Sequence, residues 1–331
     1  MKRYKNSLKI MLGLLISLGF LFLAFRQLDF QQMKQAFSLA NYWLLIPSVI
    51  ILFTSHWLRS LRWQYLLNPV QKVPVRNLFS ALLIGYAAND ILPAHLGEFL
   101  RAFLVGRKRN IPVSSALATI VVERIVDILS LVFIMALTLV IYPFPSWVKK
   151  SGYLMFAFAV GLLVFLILMK IYTDATMKFL GRLLKPFPKK LTEKAESLSR
   201  SFLDGLKPMK SRLDYPIIFI LSILFWTCYW GVLYLNFYTF NLIADHNLNV
   251  TAGLVLLVIT TISVVVPSSP GYVGTYHWLC QVSLELFHVP RAVGLTYAIV
   301  VHAINFFPVF IVGFILAWKE GIKLSKVQKQ L

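Results

Sequence analysis

Residues 89–101 read Asn89-Asp90-Ile91-Leu92-Pro93-Ala94-His95-Leu96-Gly97-Glu98-Phe99-Leu100-Arg101, and residues 267–277 read Pro267-Ser268-Ser269-Pro270-Gly271-Tyr272-Val273-Gly274-Thr275-Tyr276-His277. Each run sets prolines, glycines and polar side chains inside a long apolar stretch. A free backbone amide in hydrocarbon costs several kcal/mol, so a broken helix persists there only when buried in protein or lining a wet cavity. Breaks of this kind in both halves of one chain point to a transporter's substrate site.

Composition agrees with a bilayer. Hydrophobic residues make up 58% of the 331 and charged ones 14%, against about 25% charged in ordinary soluble domains. A soluble core of this length would need a polar shell that these residues cannot supply. Cys228 and Cys280 both fall in apolar stretches, so packing rather than a disulfide framework is expected of them. No zinc spacing, nucleophile elbow or P-loop is present. The run from Leu8 to Phe25 follows Lys2, Arg3 and Lys5. It is long for a signal peptide and lacks a small-residue cleavage site, so it reads as a retained first helix.

A span needs roughly 20 apolar residues. Hydropathy places candidates at 7–25, 41–58, a broken pair 77–91 and 95–106, then 112–142, 152–171, 215–241, a second broken pair 250–267 and 272–288, and 291–318. The expectation is an all-α polytopic protein of about eight spans, counting the two pairs, within a single domain 1–331. Lys2, Arg3, Lys5, Arg59, Arg62, Lys72, Arg76, Arg107, Lys108 and Arg109, the lysine-rich loop 172–214 and the C-terminal lysines fall on one side if 77–106 enters and leaves from that side. Lys149 and Lys150 are the exceptions. Both termini are then cytoplasmic, and 250–288 is re-entrant from the opposite face. Two hairpins entering from opposite leaflets are what an inverted repeat produces. The net charge of +20 is mostly this asymmetry, and anionic headgroups are its natural partner. Spread over short loops, it does not read as a nucleic-acid surface. Within 172–214, Leu191, Ala195, Leu198, Phe202 and Leu206 recur at helical spacing between cationic flanks. This predicts an amphipathic helix, either in the headgroup region or capping the bundle.

Glu123, Arg124 and Asp127 lie about ten residues into their span, roughly 15 Å deep. Glu123 and Asp127 share a helix face, and Arg124 neighbours Asp127. Charges at such depth face an interior or a wet cavity and pair with one another. One arginine against two acids leaves a cation to be found elsewhere, with Arg59, Arg62 and Arg101 as candidates. As the only local partner, Arg124 is expected to be the residue whose loss strands both acids. The first break adds Asn89, Asp90, His95, Glu98 and Arg101 at the mouth of a half-helix, whose free amides favour an anion. The second adds Ser268, Ser269, the backbone of Gly271 and Gly274, Thr275, Tyr276 and His277; Gln281, Glu285, His302 and Asn305 follow.

Asn89, Leu92, Pro93, Gly97, Glu98 and Arg101 form N-x-x-L-P-x-x-x-G-E-x-x-R, which resembles the lysylphosphatidylglycerol synthase transmembrane-region family, also described as flippase-like or UPF0104. Glu123-Arg124-x-x-Asp127, the run Pro267, Pro270, Gly271 and Gly274, and His302 match further motifs of that family. The resemblance implies a protein of a bacterial-type plasma (inner) membrane, like the flippase half of multiple-peptide-resistance proteins. Those proteins also carry a soluble aminoacyltransferase. This chain ends at Leu331, so synthase activity is not expected. Where many members have arginine and glutamate, His95 and His277 stand here, and the headgroup does not transfer. Relatives linked to glycosylation and hopanoid pathways leave a lipid-linked sugar open. The expected function is lipid translocation, with substrate contacts from Asn89, His95, Glu98, Arg101, Glu123, Arg124, Asp127, Ser269, Gly271, Gly274, Tyr276, His277 and His302. No metal, cofactor or catalytic residue is expected. The expected partners are anionic phospholipid or a lipid-linked substrate, with a homo-oligomer as an open option. The rival expectations are a membrane-embedded transferase or hydrolase using Glu123 or His95 as base, and a scaffold for a cell-envelope enzyme.

Overall fold

The computed structural model describes residues 15, 17–26, 28–91, 96–265 and 270–321, and the regular elements among them are all helical. Helix α1 holds residues 17–25. It is followed by α2 (Phe30–Leu39), α3 (Leu45–Leu67), α4 (Val75–Ile91), α5 (Leu96–Arg109), α6 (Val113–Ile141) and α7 (Ser146–Ile171). The second half holds α8 (Thr173–Leu184), α9 (Lys189–Gly205), α10 (Asp214–Thr239), α11 (Leu242–His246), α12 (Val250–Val265), α13 (Thr275–Glu285) and α14 (Arg291–Lys319). Both chain termini, the start of the expected first span, His95 and Ser269 lie outside the described residues.

Five described helices are long and apolar enough to cross a bilayer: Tyr42–Leu67, Val113–Ile141, Ser146–Ile171, Asp214–Thr239 and Arg291–Lys319. The chain is an all-α, multi-span membrane protein. The eight expected from hydropathy also counted the two broken pairs and a first span whose start lies outside the described residues. The broken elements α4, α5, α12 and α13 have only 17, 14, 16 and 11 residues, and at 1.5 Å per residue none reaches across about 30 Å of hydrocarbon alone.

The second span differs most from its hydropathy boundary. Instead of stopping at 58, α3 runs on to Leu67, because Arg59 and Arg62 are taken into the interior, 7% and 0% exposed. They are core charges, not loop charges. The polar link 26–40 also holds a helix, α2, which starts where the Asp29 carboxylate accepts the amides of Gln31 and Gln32. The basic loop 172–214 is two helices. α9 packs its C-terminal part on α6, where Ser115 Oγ donates to the Ser201 carbonyl at 2.5 Å. Of the predicted stripe, Ala195, Phe202 and Leu206 are half-buried, whereas Leu191 and Leu198 stay exposed.

Polar contacts fix which ends lie together. Glu320, just past α14, accepts from Ser80 Oγ of α4 at 2.6 Å and pairs with Lys108 of α5 at 2.5 Å. The start of α4, the end of α5 and the end of α14 therefore meet at one end, here called the basic end. At the other end, the Asn41 amide before α3 donates to the Thr239 carbonyl of α10 at 2.8 Å. Tyr142, past α6, stacks there on Phe287, past α13, with ring centres 5.1 Å apart. Helices α3 and α10 form the broadest helix contact in the bundle. It is joined by small and amide side chains, with Asn236 donating to Ser48 Oγ at 3.1 Å, the packing chemistry that lipid favours because hydrocarbon offers no hydrophobic drive between helices.

Candidate functional site

The first break is closed by its own asparagine. Asn89 Oδ1 accepts the Gly97 amide at 2.7 Å, satisfying a free donor at the start of α5. The helices touch so closely at Gly97 that a Cβ there would collide with the Gly85 carbonyl. That approach lets Arg101 pass between α4 and α3 and lay its guanidinium 4.2 Å from the centre of the Trp63 ring.

From that point an ion network runs through the interior. Arg101 donates to Glu98 at 2.9 Å and to Glu123 at 2.8 Å. Glu123 also accepts from Arg59 at 2.9 Å and Arg124 at 3.0 Å. Asp127 pairs with Arg59 and, at 2.5 Å, with Arg62. Arg62 also donates to Ser222 Oγ at 3.0 Å and lies 4.6 Å from the Phe225 ring centre. All three arginines named as candidate partners from the sequence are therefore recruited, together with Arg124. Among the described residues four guanidinium groups meet three carboxylates, so the network keeps one excess positive charge. The Nε atoms of Arg62, Arg101 and Arg124 are buried with no hydrogen-bond partner among the described residues. Only Arg124 opens outward, with its side chain 35% exposed. It is not the sole partner of the two acids.

The second break turns at Gly271, Tyr272 and Gly274, with φ of +70°, +57° and +92°. A left-handed backbone suits glycine and strains tyrosine. His302 Nε2 donates to the Gly271 carbonyl at 2.8 Å, which fixes its tautomer. The Tyr276 ring stacks on His302 at 5.1 Å, and His277 meets it edge-on at 4.8 Å. His277 Nδ1 accepts the Gly274 amide at 3.2 Å and so caps α13. Gly271, Gly274, Tyr276, His277 and His302 are thus one assembly.

The two breaks touch. The Pro270–Tyr272 turn packs against α4, and a Cβ on Gly271 would come within 3.8 Å of the Asp90 carbonyl. Tyr272 lies within electrostatic reach of Arg124, Glu98 and Asp90. Asp90 forms no ion pair among the described residues. Sequence reasoning missed Tyr272 and also missed His56, which is buried between Tyr86 and Tyr229 beside Arg59. A signal was available for the latter, since His56, Arg59 and Arg62 recur every three residues on α3. Sequence alone gave no sign that Trp63 carries Arg101.

A membrane helix bundle with a buried arginine–carboxylate network between two broken hairpins defines a class of polytopic membrane protein. The family model described as lysylphosphatidylglycerol synthase TM region matches residues 10–313, and the chain belongs to that family. A UPF0104 membrane protein of Methanothermobacter thermautotrophicus is 25% identical over 283 residues, 81% of this chain and 82% of its own length. The UPF0104 membrane protein MJ1078 of Methanocaldococcus jannaschii is 23% identical, covering 69% and 92%. Glycosyltransferase AglD of Haloferax volcanii is 28% identical over 139 residues, 42% of this chain but 22% of that protein. No solved structure matches. These relatives are archaeal, which corrects the expectation of a bacterial-type inner membrane. Hydropathy and basic loops report a bilayer and its sidedness, not a lineage. The multi-pass membrane character stands.

Proposed function

We propose that this chain moves an anionic lipid headgroup between leaflets without changing it chemically. One observation carries the reading: a buried network with one excess guanidinium among the described residues, whose most exposed member, Arg124, approaches Glu98 beside the first break at 3.9 Å. A surplus cation in a low-dielectric site is costly unless an anion joins it. A phosphate-bearing headgroup would complete the charge balance. Arg124 would make first contact, and Glu98 would exchange its hold on Arg101 as the headgroup enters. Tyr272, strained at the junction, and the Gly274 turn would act as the gate. The contacts of Glu320 and of Tyr142 support a reading in which the two hairpins open toward opposite ends of the bundle, as an inverted repeat working by alternating access would have them. The partial likeness to a glycosyltransferase favours a lipid-linked sugar phosphate as the second candidate substrate.

Reconstitution into vesicles carrying a panel of fluorescent anionic and zwitterionic lipids tests the proposal. Protein-dependent quenching of inner-leaflet anionic probe by an impermeant reductant is expected, with zwitterionic probe unmoved. Rates equal to those of empty vesicles for every anionic probe would reject it.

A further inference from the structure

Away from the network, at the basic end, α3, α6 and α7 and the link after α9 line a half-open cavity of about 340 Å³. Its walls are apolar: Leu66 from α3, Val122 from α6, Leu163 and Leu166 from α7, and Leu206 from the link. Among the described residues the ionisable side chains in the lining are Lys170, Lys207 and Tyr215, with no carboxylate. Lys170 Nζ donates to the Leu203 carbonyl at 2.8 Å, which holds the end of α9 beside the cavity and leaves the ammonium with further protons to give. Lys207 is exposed, and Lys210 and Arg212 follow it on the same link.

We infer that this cavity binds one hydrocarbon chain of an anionic phospholipid from the leaflet at the basic end, with the phosphate held at Lys170 and Lys207. The volume is at the low end of the roughly 300–1,000 Å³ of small-molecule sites. It admits a single chain and not a whole two-chain lipid. An apolar slot under a cationic rim matches the two halves of such a lipid. The site is separate from the proposed path, yet coupled to it. Thr119 in the cavity wall accepts the indole N–H of Trp63 at 3.0 Å, and the ring of Trp63 carries Arg101. A chain in the cavity therefore braces the platform on which the network rests.

The test is native mass spectrometry of the protein extracted from vesicles of equal phosphatidylglycerol and phosphatidylcholine. One phosphatidylglycerol retained per chain, enriched over the vesicle ratio, is expected. Leu163→Trp fills the slot and should abolish retention. Lys207→Glu acts only on an exposed side chain, so folding is kept, and the headgroup preference should fall roughly tenfold. Glu98→Gln should keep the lipid in place. If wild type carries no enriched lipid, or both cavity variants retain it as wild type does, the inference fails. Loss of the lipid in Glu98→Gln would assign it to the translocation path and also overturn the inference. Should Leu163→Trp not fold, Lys207→Glu decides alone.

Discussion

Arg101→Ala separates a network held together by its buried members from one held by the arginine nearest solvent. The Arg101 side chain is fully buried, bonded to Glu98 at 2.9 Å and Glu123 at 2.8 Å, and seated on Trp63. Breaking a buried ion pair from one side costs about 3–5 kcal/mol. Glu123 keeps Arg59 at 2.9 Å and Arg124 at 3.0 Å, so the low end, about 3 kcal/mol, applies here. Arg124→Ala removes a side chain that is 35% exposed and bonded to Glu123 at 3.0 Å, while its contacts with Asp127 and Glu98 are long, at 3.5 and 3.9 Å, and Glu123 keeps Arg59 and Arg101. The loss of Arg124 should cost about 1 kcal/mol or less. At roughly 1.4 °C per kcal/mol for a chain of 331 residues, Arg101→Ala should melt about 4 °C below wild type by intrinsic fluorescence in detergent, and Arg124→Ala within about 1.5 °C of it. Equal shifts, or a larger one for Arg124→Ala, would refute the ranking of the two arginines. Transport should be lost in both variants, but for Arg124→Ala without loss of folded protein.

Glu98→Gln, which keeps the shape of a partly exposed acid, should melt close to wild type and show no lipid movement; normal transport would remove Glu98 from the path. Gly274→Ala meets a backbone at φ +92° and would bring its methyl within 2.5 Å of the Ser17 carbonyl, so folded yield should fall, by about 1–3 kcal/mol of stability if strain alone acts. Asn89→Ala should lose about 1 kcal/mol, the worth of a side-chain acceptor at a helix start, while Asn89→Asp retains it; identical melts for the two would void the capping role. Single cysteines at 190 and 246 should react with an impermeant maleimide from opposite faces, and labelling from the same face would break the hairpin geometry.

Much of the fold was legible because bilayer physics is written locally. The two breaks, the existence of the long spans and the burial of Glu123 and Asp127 all follow from runs of apolar residues and their interruptions. The largest error has a clear cause. Hydropathy cannot distinguish a basic residue flanking a span from one buried inside it, so Arg59 and Arg62 served as loop charges although charge balance at Glu123 and Asp127 already called for them. The hold of Asn89 on the Gly97 amide was not legible, because that amide becomes a free donor only once the half-helix exists. His56 sits within an apolar run and acquires its surroundings from Tyr86 and Tyr229, 30 and 173 residues away. Its three-residue spacing to Arg59 and Arg62 marks the shared face, but the two tyrosines themselves leave no trace in local pattern.

The most direct test compares whole membranes with and without the chain, combining lipid mass spectrometry with an impermeant label of the leaflet facing the medium. A lipid class whose labelled fraction depends on the chain, is lost in Glu98→Gln and keeps its total amount is the expected result. A total pool that changes while the labelled fraction stays constant would contradict translocation and make the chain an enzyme.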